Sequence, residues 1–296
     1  MRRFSAEPLT EQPNPSTADL DLLGTQDMLH RINDEDRRVA WAVEREIDAI
    51  AAAVDEITSR LRAGGRLHYF GAGTSGRLAA LDAAEIPPTF STPSDLVVAH
   101  IAGGREAILH AVEAAEDDEA AGGREAGGLT ASDAVIGISA SGGAPYVLGA
   151  VAGARQRGCL TVGLTNSSNS PLAGQVQIPI VLLSGPEVLS GSTRMKAGSA
   201  QKMALNMIST AVMVKLGKAY GNLMVDLRAT NNKLRLRAQR LTQQLTGAAD
   251  EDIVVALEST GYRVKPAVVA LKLGCDAVRA QALLDAADGK LRAVIG

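Results

Sequence analysis

Leu67-His68-Tyr69-Phe70-Gly71-Ala72-Gly73-Thr74-Ser75-Gly76-Arg77 is the stretch that decides the fold. A short apolar run closes on glycine, a Gly-x-Gly-x-x-Gly loop follows, and a helical pattern begins at once over 77–84. That succession marks the carboxyl end of a parallel strand feeding a helix. Four further apolar runs follow: Leu96-Val97-Val98-Ala99-His100-Ile101, Ala134-Val135-Ile136-Gly137-Ile138, Leu160-Thr161-Val162-Gly163-Leu164 and Ile178-Pro179-Ile180-Val181-Leu182-Leu183. Helical patterns over 105–121 and 145–157 separate some of them. Continuous apolar strands alternating with helices predict an α/β fold, a doubly wound five-stranded parallel sheet with helices on both faces. Pro179 cannot donate to a ladder, which puts the fifth strand at an edge.

Outward from this core, residues 1–18 are rich in Pro, Thr, Asn and Ser and read as an extended N-terminal arm. Over 19–62 the pattern is helical, with Ile47, Ile50, Ala51, Val54, Ile57 and Leu61 at three- and four-residue steps and Gly64-Gly65 as the stop. After the fifth strand the chain is helical: a long apolar helix over 194–218, a charged one over 226–244, then three short ones over 250–259, 265–273 and 276–286. The expected organisation is the arm 1–18, a main domain with flanking helices over 19–246, and a small three-helix region over 247–296.

Aromatics are only 3% of the 296 residues, so Ala, Val, Leu and Ile must fill the core. The net charge of −3 gives no basic footprint, and nucleic acid is not an expected partner. Arg235, Arg237 and Arg240 recur at helical spacing and read as a solvated face. No apolar stretch is long enough to span a bilayer, and Met1-Arg2-Arg3-Phe4-Ser5-Ala6-Glu7-Pro8 has no apolar region of a signal peptide. Cys159 and Cys275 stand far apart, as in a reduced cytoplasmic protein.

The loop after the first strand admits two readings. A dinucleotide site also wants an acid at the end of the next strand. That strand ends His100-Ile101-Ala102-Gly103-Gly104, and Asp95 lies at its wrong end, so no nicotinamide or flavin cofactor is expected. A phosphate cradle fits better, with the backbone amides from Gly73 and the hydroxyls of Thr74 and Ser75 at a helix start. The third strand ends alike, in Ser139-Ala140-Ser141-Gly142-Gly143. Two such loops at adjacent strand ends suit one small phosphorylated ligand; tight turns with capping serines are the plainer alternative.

Glu85 lies beside Ile86-Pro87-Pro88, apolar surroundings that would suit it to proton transfer. Ile108, Val112 and Glu116 fall in one helical row, which would turn Glu116 inward, although a solvated acidic helix end explains it equally. Ser139 is not in a Gly-x-Ser-x-Gly elbow. The four histidines show no metal-ligand spacing, and no metal is expected. His68 and His100, within strands, read as core residues.

Several blocks resemble the sugar isomerase (SIS) domain of the N-acetylmuramic acid 6-phosphate etherases. They are Gly71 to Leu78, Asp82-Ala83-Ala84-Glu85-Ile86-Pro87-Pro88-Thr89, Ile101 to Gly104, Ala111 to Asp117, Gly191-Ser192-Thr193-Arg194-Met195-Lys196-Ala197-Gly198, Gly221 to Asp226 and Ile32 to Asp36. The resemblance runs in order through nearly the whole chain. It implies a cytoplasmic, homodimeric carbon–oxygen lyase of cell-wall amino sugar recycling that uses no cofactor. It also implies that Glu85 protonates the departing lactate and that Glu116 is the second catalytic carboxylate. The phosphate would sit on Gly73, Thr74, Ser75, Ser139, Ser141 and Gly142. A sugar-phosphate-sensing regulatory protein, or an aldose–ketose isomerase on the same fold, is the alternative. Gly143 and Ala144 stand where the family pattern has Arg and Thr, and Pro13 where it has Arg; Arg77, Arg105 and Lys196 are the candidates to replace the missing cation.

Overall fold

The computed structural model describes residues 9–227, 229 and 232–296. Its first helices are α1 (Thr25–Asp36), α2 (Arg38–Glu44) and α3 (Ile47–Arg62), preceded by short 3-10 turns at Pro15–Thr17 and Leu20–Leu22. The single helical pattern read over 19–62 is thus divided. In α3 Ile50, Val54, Ile57 and Leu61 of the apolar row are buried, while Ile47, the first residue of the helix, and Ala51, at the margin of the row, are exposed. Gly65 passes so close to the Ser132 carbonyl that no side chain fits there.

The sheet follows the sequence. Strands β1 (Leu67–Gly71), β2 (Val97–Ile101), β3 (Ala134–Ser139), β4 (Leu160–Thr165) and β5 (Ile178–Val181) are all parallel, in the order β2-β1-β3-β4-β5. β5 is an edge, and Pro179 in it is exposed. Between strands run α4 (Gly73–Phe90), α5 (Glu119–Glu125), α6 (Pro145–Gln156) and α7 (Pro171–Gln175). Successive strand residues point to opposite faces. Phe70 joins Val135, Tyr146 and Val147 in the layer that α6 covers, whereas Tyr69 donates to Asp82 of α4 at 2.9 Å. Helices therefore cover both faces. The strand order reverses between β1 and β3, from which connections run to opposite edges, and ligands in such sheets sit there, beyond the strand carboxyl ends.

The expected helix over 105–121 does not form. Gly103 and Gly104 have φ of +84° and +70°, and Ala114 adopts +60°. Left-handed residues interrupt an α-helix. The segment instead makes 3-10 turns at Gly104–Ile108 and Ala115–Asp117 before α5. Conversely, α4 outlasts the expected 77–84 and carries Pro87 and Pro88 in its last turn, ending as Ser91 turns to φ +51°.

The remaining helices are α8 (Lys196–Lys215), α9 (Asn232–Thr246), α10 (Asp250–Ser259), α11 (Val264–Leu273), α12 (Ala277–Ala286) and α13 (Leu291–Ile295). The chain divides into two compact units, 1–83 with 95–209, and 84–94 with 210–296. The boundary expected at 246 is therefore too late. Ala238 and Leu241 of α9 share a buried cluster with Ile253, Leu257, Val268 and Leu284, so α9 belongs to the C-terminal core. Of the arm read over 1–18, residues 1–8 lie outside the described residues, as do 228, 230 and 231 of the charged stretch over 226–244.

Candidate active site

Beyond the carboxyl ends of β1 and β3 lies a cavity of about 300 Å³ in the first unit. Gly73, Thr74 and Ser75, at the start of α4, form one wall. The loop Ser139-Ala140-Ser141 with Ala144, at the start of α6, forms another. The loops can approach because their glycines are used sterically. A Cβ on Gly71 would meet the Gly76 backbone at 2.7 Å, and one on Gly142, itself at φ +68°, would meet Ser170 at 2.4 Å. The first turn of α4 leaves its amides without intrahelical partners at this wall, which favours an anion, whereas α6 opens on Pro145, which has no N–H.

The hydroxyls differ in what they offer. Ser75 Oγ donates to Gln201 Oε1 at 2.8 Å, and the chain continues through Gln201 Nε2 to Asn166 Oδ1 at 2.9 Å. Its hydrogen is already spent. Ser139 Oγ accepts from the Gly142 amide at 3.0 Å and Ser141 Oγ from the Gly143 amide at 3.2 Å. These two keep their own hydrogens for a ligand, since a hydroxyl that accepts can still donate.

Glu116 lines the cavity from the 3-10 turn Ala115–Asp117. The helical row used to turn it inward is absent: Ile108 and Val112 are exposed. The fold of the interrupted segment places it instead. Partial burial, reinforced by the charge of Asp117, pushes its carboxyl above the usual range. Glu85 does not line this cavity; it belongs to the second unit and is exposed. Its neighbour Ile86 is buried at 3%, but successive helix residues point about 100° apart, so Ile86 faces inward and Glu85 outward.

No Lys or Arg lines the cavity among the described residues. Arg77 donates to the Ile108 and His110 carbonyls, each at 3.1 Å, and braces the interrupted segment. Lys196 is buried at 1% and pairs with Glu35. Neither replaces the missing cation at 143, and Arg105 is exposed on its 3-10 turn and absent from the cavity wall. His68 is a core residue, whereas His100 on the edge strand β2 is only half-buried and also meets Glu125 at 3.3 Å; the two rings meet at 3.1 Å, and burial first, then His100, pushes His68 down to about 4.

The sequence reading missed Glu11 and Thr193, which complete the wall, and Gln201, which fixes Ser75. Thr193 lies in a block already singled out, Gly191 to Gly198; Glu11 lies in the arm, two residues before the Pro13 that departs from the family pattern, with no role assigned to it.

A family model for the N-terminal SIS domain of glucokinase regulatory protein matches residues 49–155, and an SIS domain model matches 106–211. The chain is 51% identical over 289 residues to an N-acetylmuramic acid 6-phosphate etherase of Serratia proteamaculans, covering 97% of each chain. It is likewise 51% identical to those of Caldanaerobacter subterraneus and Rubrobacter xylanophilus, over 98% of this chain and 95% and 96% of theirs. In fold it is similar to a phosphoheptose isomerase from Francisella tularensis, with a TM-score of 0.52, 18% identity, and coverage of 65% of this chain and 100% of that one.

Proposed function

The chain belongs to the N-acetylmuramic acid 6-phosphate etherase family, and from that premise we infer that it cleaves the D-lactyl ether of N-acetylmuramic acid 6-phosphate. The products are N-acetylglucosamine 6-phosphate and D-lactate, and the enzyme is a carbon–oxygen lyase. The observation that carries this reading to a site is the cavity shared by two anion-ready loops and Glu116.

The reaction is an elimination followed by addition of water, on the open-chain sugar. An aldehyde at C1 makes the C2 proton acidic. Glu116 removes that proton, the C3–oxygen bond breaks, and Glu85 protonates the departing lactate. Water then adds to C3 of the unsaturated aldehyde and a proton returns to C2. The raised pKa of Glu116 suits a base that must also release its proton again. The role of Glu85 rests on the resemblance of its block alone. The phosphate sits on the amides from Gly73 and Thr74 and on the hydroxyls of Ser139 and Ser141, with the Gly142 amide fixing Ser139 and Ser75 holding the loop.

A homodimer in the cytoplasm completes the proposal. Met207 and Val214 on α8 are 39% and 47% exposed, large apolar side chains that a second copy would cover. Among the described residues no helix is long and apolar enough to cross a membrane. The regulatory alternative is not favoured by any observation at the site. The test is direct: the purified protein, given N-acetylmuramic acid 6-phosphate, releases D-lactate in equal amount to N-acetylglucosamine 6-phosphate. No lactate at micromolar enzyme would refute the activity.

A further inference from the structure

Glu11 is held at the cavity by a segment fastened along its length. The Gly191 amide donates to the Thr10 carbonyl at 3.2 Å, and Ser190 Oγ donates to the Glu11 carbonyl at 2.7 Å. Further along, Thr17 Oγ1 donates to the Val188 carbonyl at 2.8 Å, and Asn14 Nδ2 donates to Glu35 at 3.0 Å and to the Pro186 carbonyl at 3.2 Å. The backbone around Glu11 is therefore not a loose tail but one side of a clasp closed on residues 186–191.

Its side chain is accommodated with equal care. Gly191 has φ +75°, and a Cβ there would come within 2.9 Å of Glu11 Oε2. The carboxylate occupies the space that any other residue at 191 would fill. It lines the same cavity as Ser141, Thr193 and Glu116. Among the described residues it has no hydrogen-bond or ion-pair partner of its own. Glu11 is exposed, so water can solvate its carboxylate, and because a carboxylate accepts and cannot donate, only a donor on a ligand can take that water's place.

We propose that Glu11 contacts the substrate directly, accepting a hydrogen bond from a hydroxyl of its C4–C5 segment, and that it determines specificity there. This rests on the etherase reading, because the substrate's chemistry selects the contact. The phosphate on C6 and the carboxylate of the lactyl group both repel Glu11. The reacting carbons C1 to C3 belong to Glu116 and its proton. The free hydroxyls of the open chain lie between, on C4 and C5. A carboxylate in a cavity without cations is best used on such neutral donors, and it also disfavours a second anion at that point.

The experiment pairs enzyme and substrate changes. D-lactate release is measured for wild type, Glu11→Ala and Glu11→Gln on N-acetylmuramic acid 6-phosphate and on its 4-deoxy and 5-deoxy analogues. On the full substrate Glu11→Ala lowers kcat/KM about 10- to 150-fold, mainly through KM, the usual worth of one hydrogen bond to a charged group. Glu11→Gln, which keeps an acceptor oxygen, recovers part of that. On the analogue that lacks the contacted hydroxyl, the loss for Glu11→Ala shrinks to a few-fold. Equal losses on all three substrates, or no loss at all, would overturn the assignment. If Glu11→Ala does not fold by circular dichroism, the Gln variant carries the same comparison. An inactive wild type would overturn the etherase reading itself, whereas an active wild type with an indifferent Glu11 overturns only this inference.

Discussion

The hydroxyl of Ser75, in the cavity wall, gives its hydrogen to Gln201 Oε1 inside the protein at 2.8 Å. Gln201 passes the chain to Asn166, whose Nδ2 donates to the Leu182 carbonyl at 2.9 Å. The bond ties the start of α4 to α8, so in the proposed phosphate site Ser75 holds the loop in place and has no hydrogen left to donate. Ser75→Ala leaves Gln201 Oε1 buried without a donor, at a cost of about 1–3 kcal/mol. Urea unfolding measures that loss, and KM for the phosphorylated sugar rises with it. Ser141→Ala, by contrast, raises KM with little change in stability. If both variants behaved alike, the distinction between holding and donating would fail.

Glu85→Gln and Glu116→Gln each lower turnover by at least about 100-fold with the fold intact, the usual contribution of a positioned acid or base. The readouts are D-lactate release and circular dichroism. A variant with near-wild-type release would remove that residue from the mechanism.

The pH profile carries a sign. Burial, then Asp117, raises the Glu116 carboxyl. As the base, Glu116 acts only when deprotonated, so kcat/KM falls as pH drops through a value above the ordinary carboxylate range. Asp117→Asn removes the repelling charge and moves that acid limb to lower pH. An unmoved limb would mean that another group sets it.

Lys196 and Glu35 form a buried pair whose side chains are 1% and 3% exposed. Burial pushes Glu35 up, but hydrogen bonds from Lys196 and Asn14 and the charges of Lys196 and Arg38 outweigh it and hold the carboxyl below its ordinary value. A depressed carboxyl contributes stability that is present above its unfolded pKa and lost as pH falls through the folded one. Lys196→Met takes away the carboxylate's buried cation, leaving it Asn14 and Arg38, and costs up to about 3–5 kcal/mol, while Lys196→Met with Glu35→Leu costs much less. Chemical unfolding at neutral pH separates the two; equal losses would show that packing, not the stranded charge, is responsible.

The last prediction concerns the loop at 143 and 144. A Cβ on Gly143 would find only Ser141 Oγ nearby, at 3.7 Å, so a side chain fits, and Ala144 is the uncapped N-cap of α6. Gly143→Arg with Ala144→Thr supplies a cation where the cavity has none and a hydroxyl where the helix lacks a cap. KM for the sugar phosphate falls about 10- to 150-fold if the arginine reaches the phosphate. An unchanged KM would show that this loop does not meet the anion.

Much of the fold was legible locally. The strand–glycine–helix passage at Leu67 to Arg77, the five apolar runs and the edge position of Pro179 all depend on residues close in the chain. The failures have local causes too, but of a kind that a hydrophobic pattern does not record. Ile108, Val112 and Glu116 keep helical spacing, and the helix is absent because Gly103, Gly104 and Ala114 turn left-handed. Ile86 predicted an apolar setting for Glu85, although on a helix the two residues face different ways.

The sequence by itself determined which loops carry glycine and serine at strand ends, the basis of the proposed anion site, since that chemistry is written in neighbouring residues. It also determined the parallel sheet, because apolar continuity is a property of each strand alone. Only the tertiary structure decided what each serine has left to give, that Lys196 is spent on Glu35, and that Glu11 stands in the cavity wall. For Ser75 and Lys196 those outcomes depend on partners more than a hundred residues apart, and a hydrogen bond's occupancy is known only when both of its ends have been brought together.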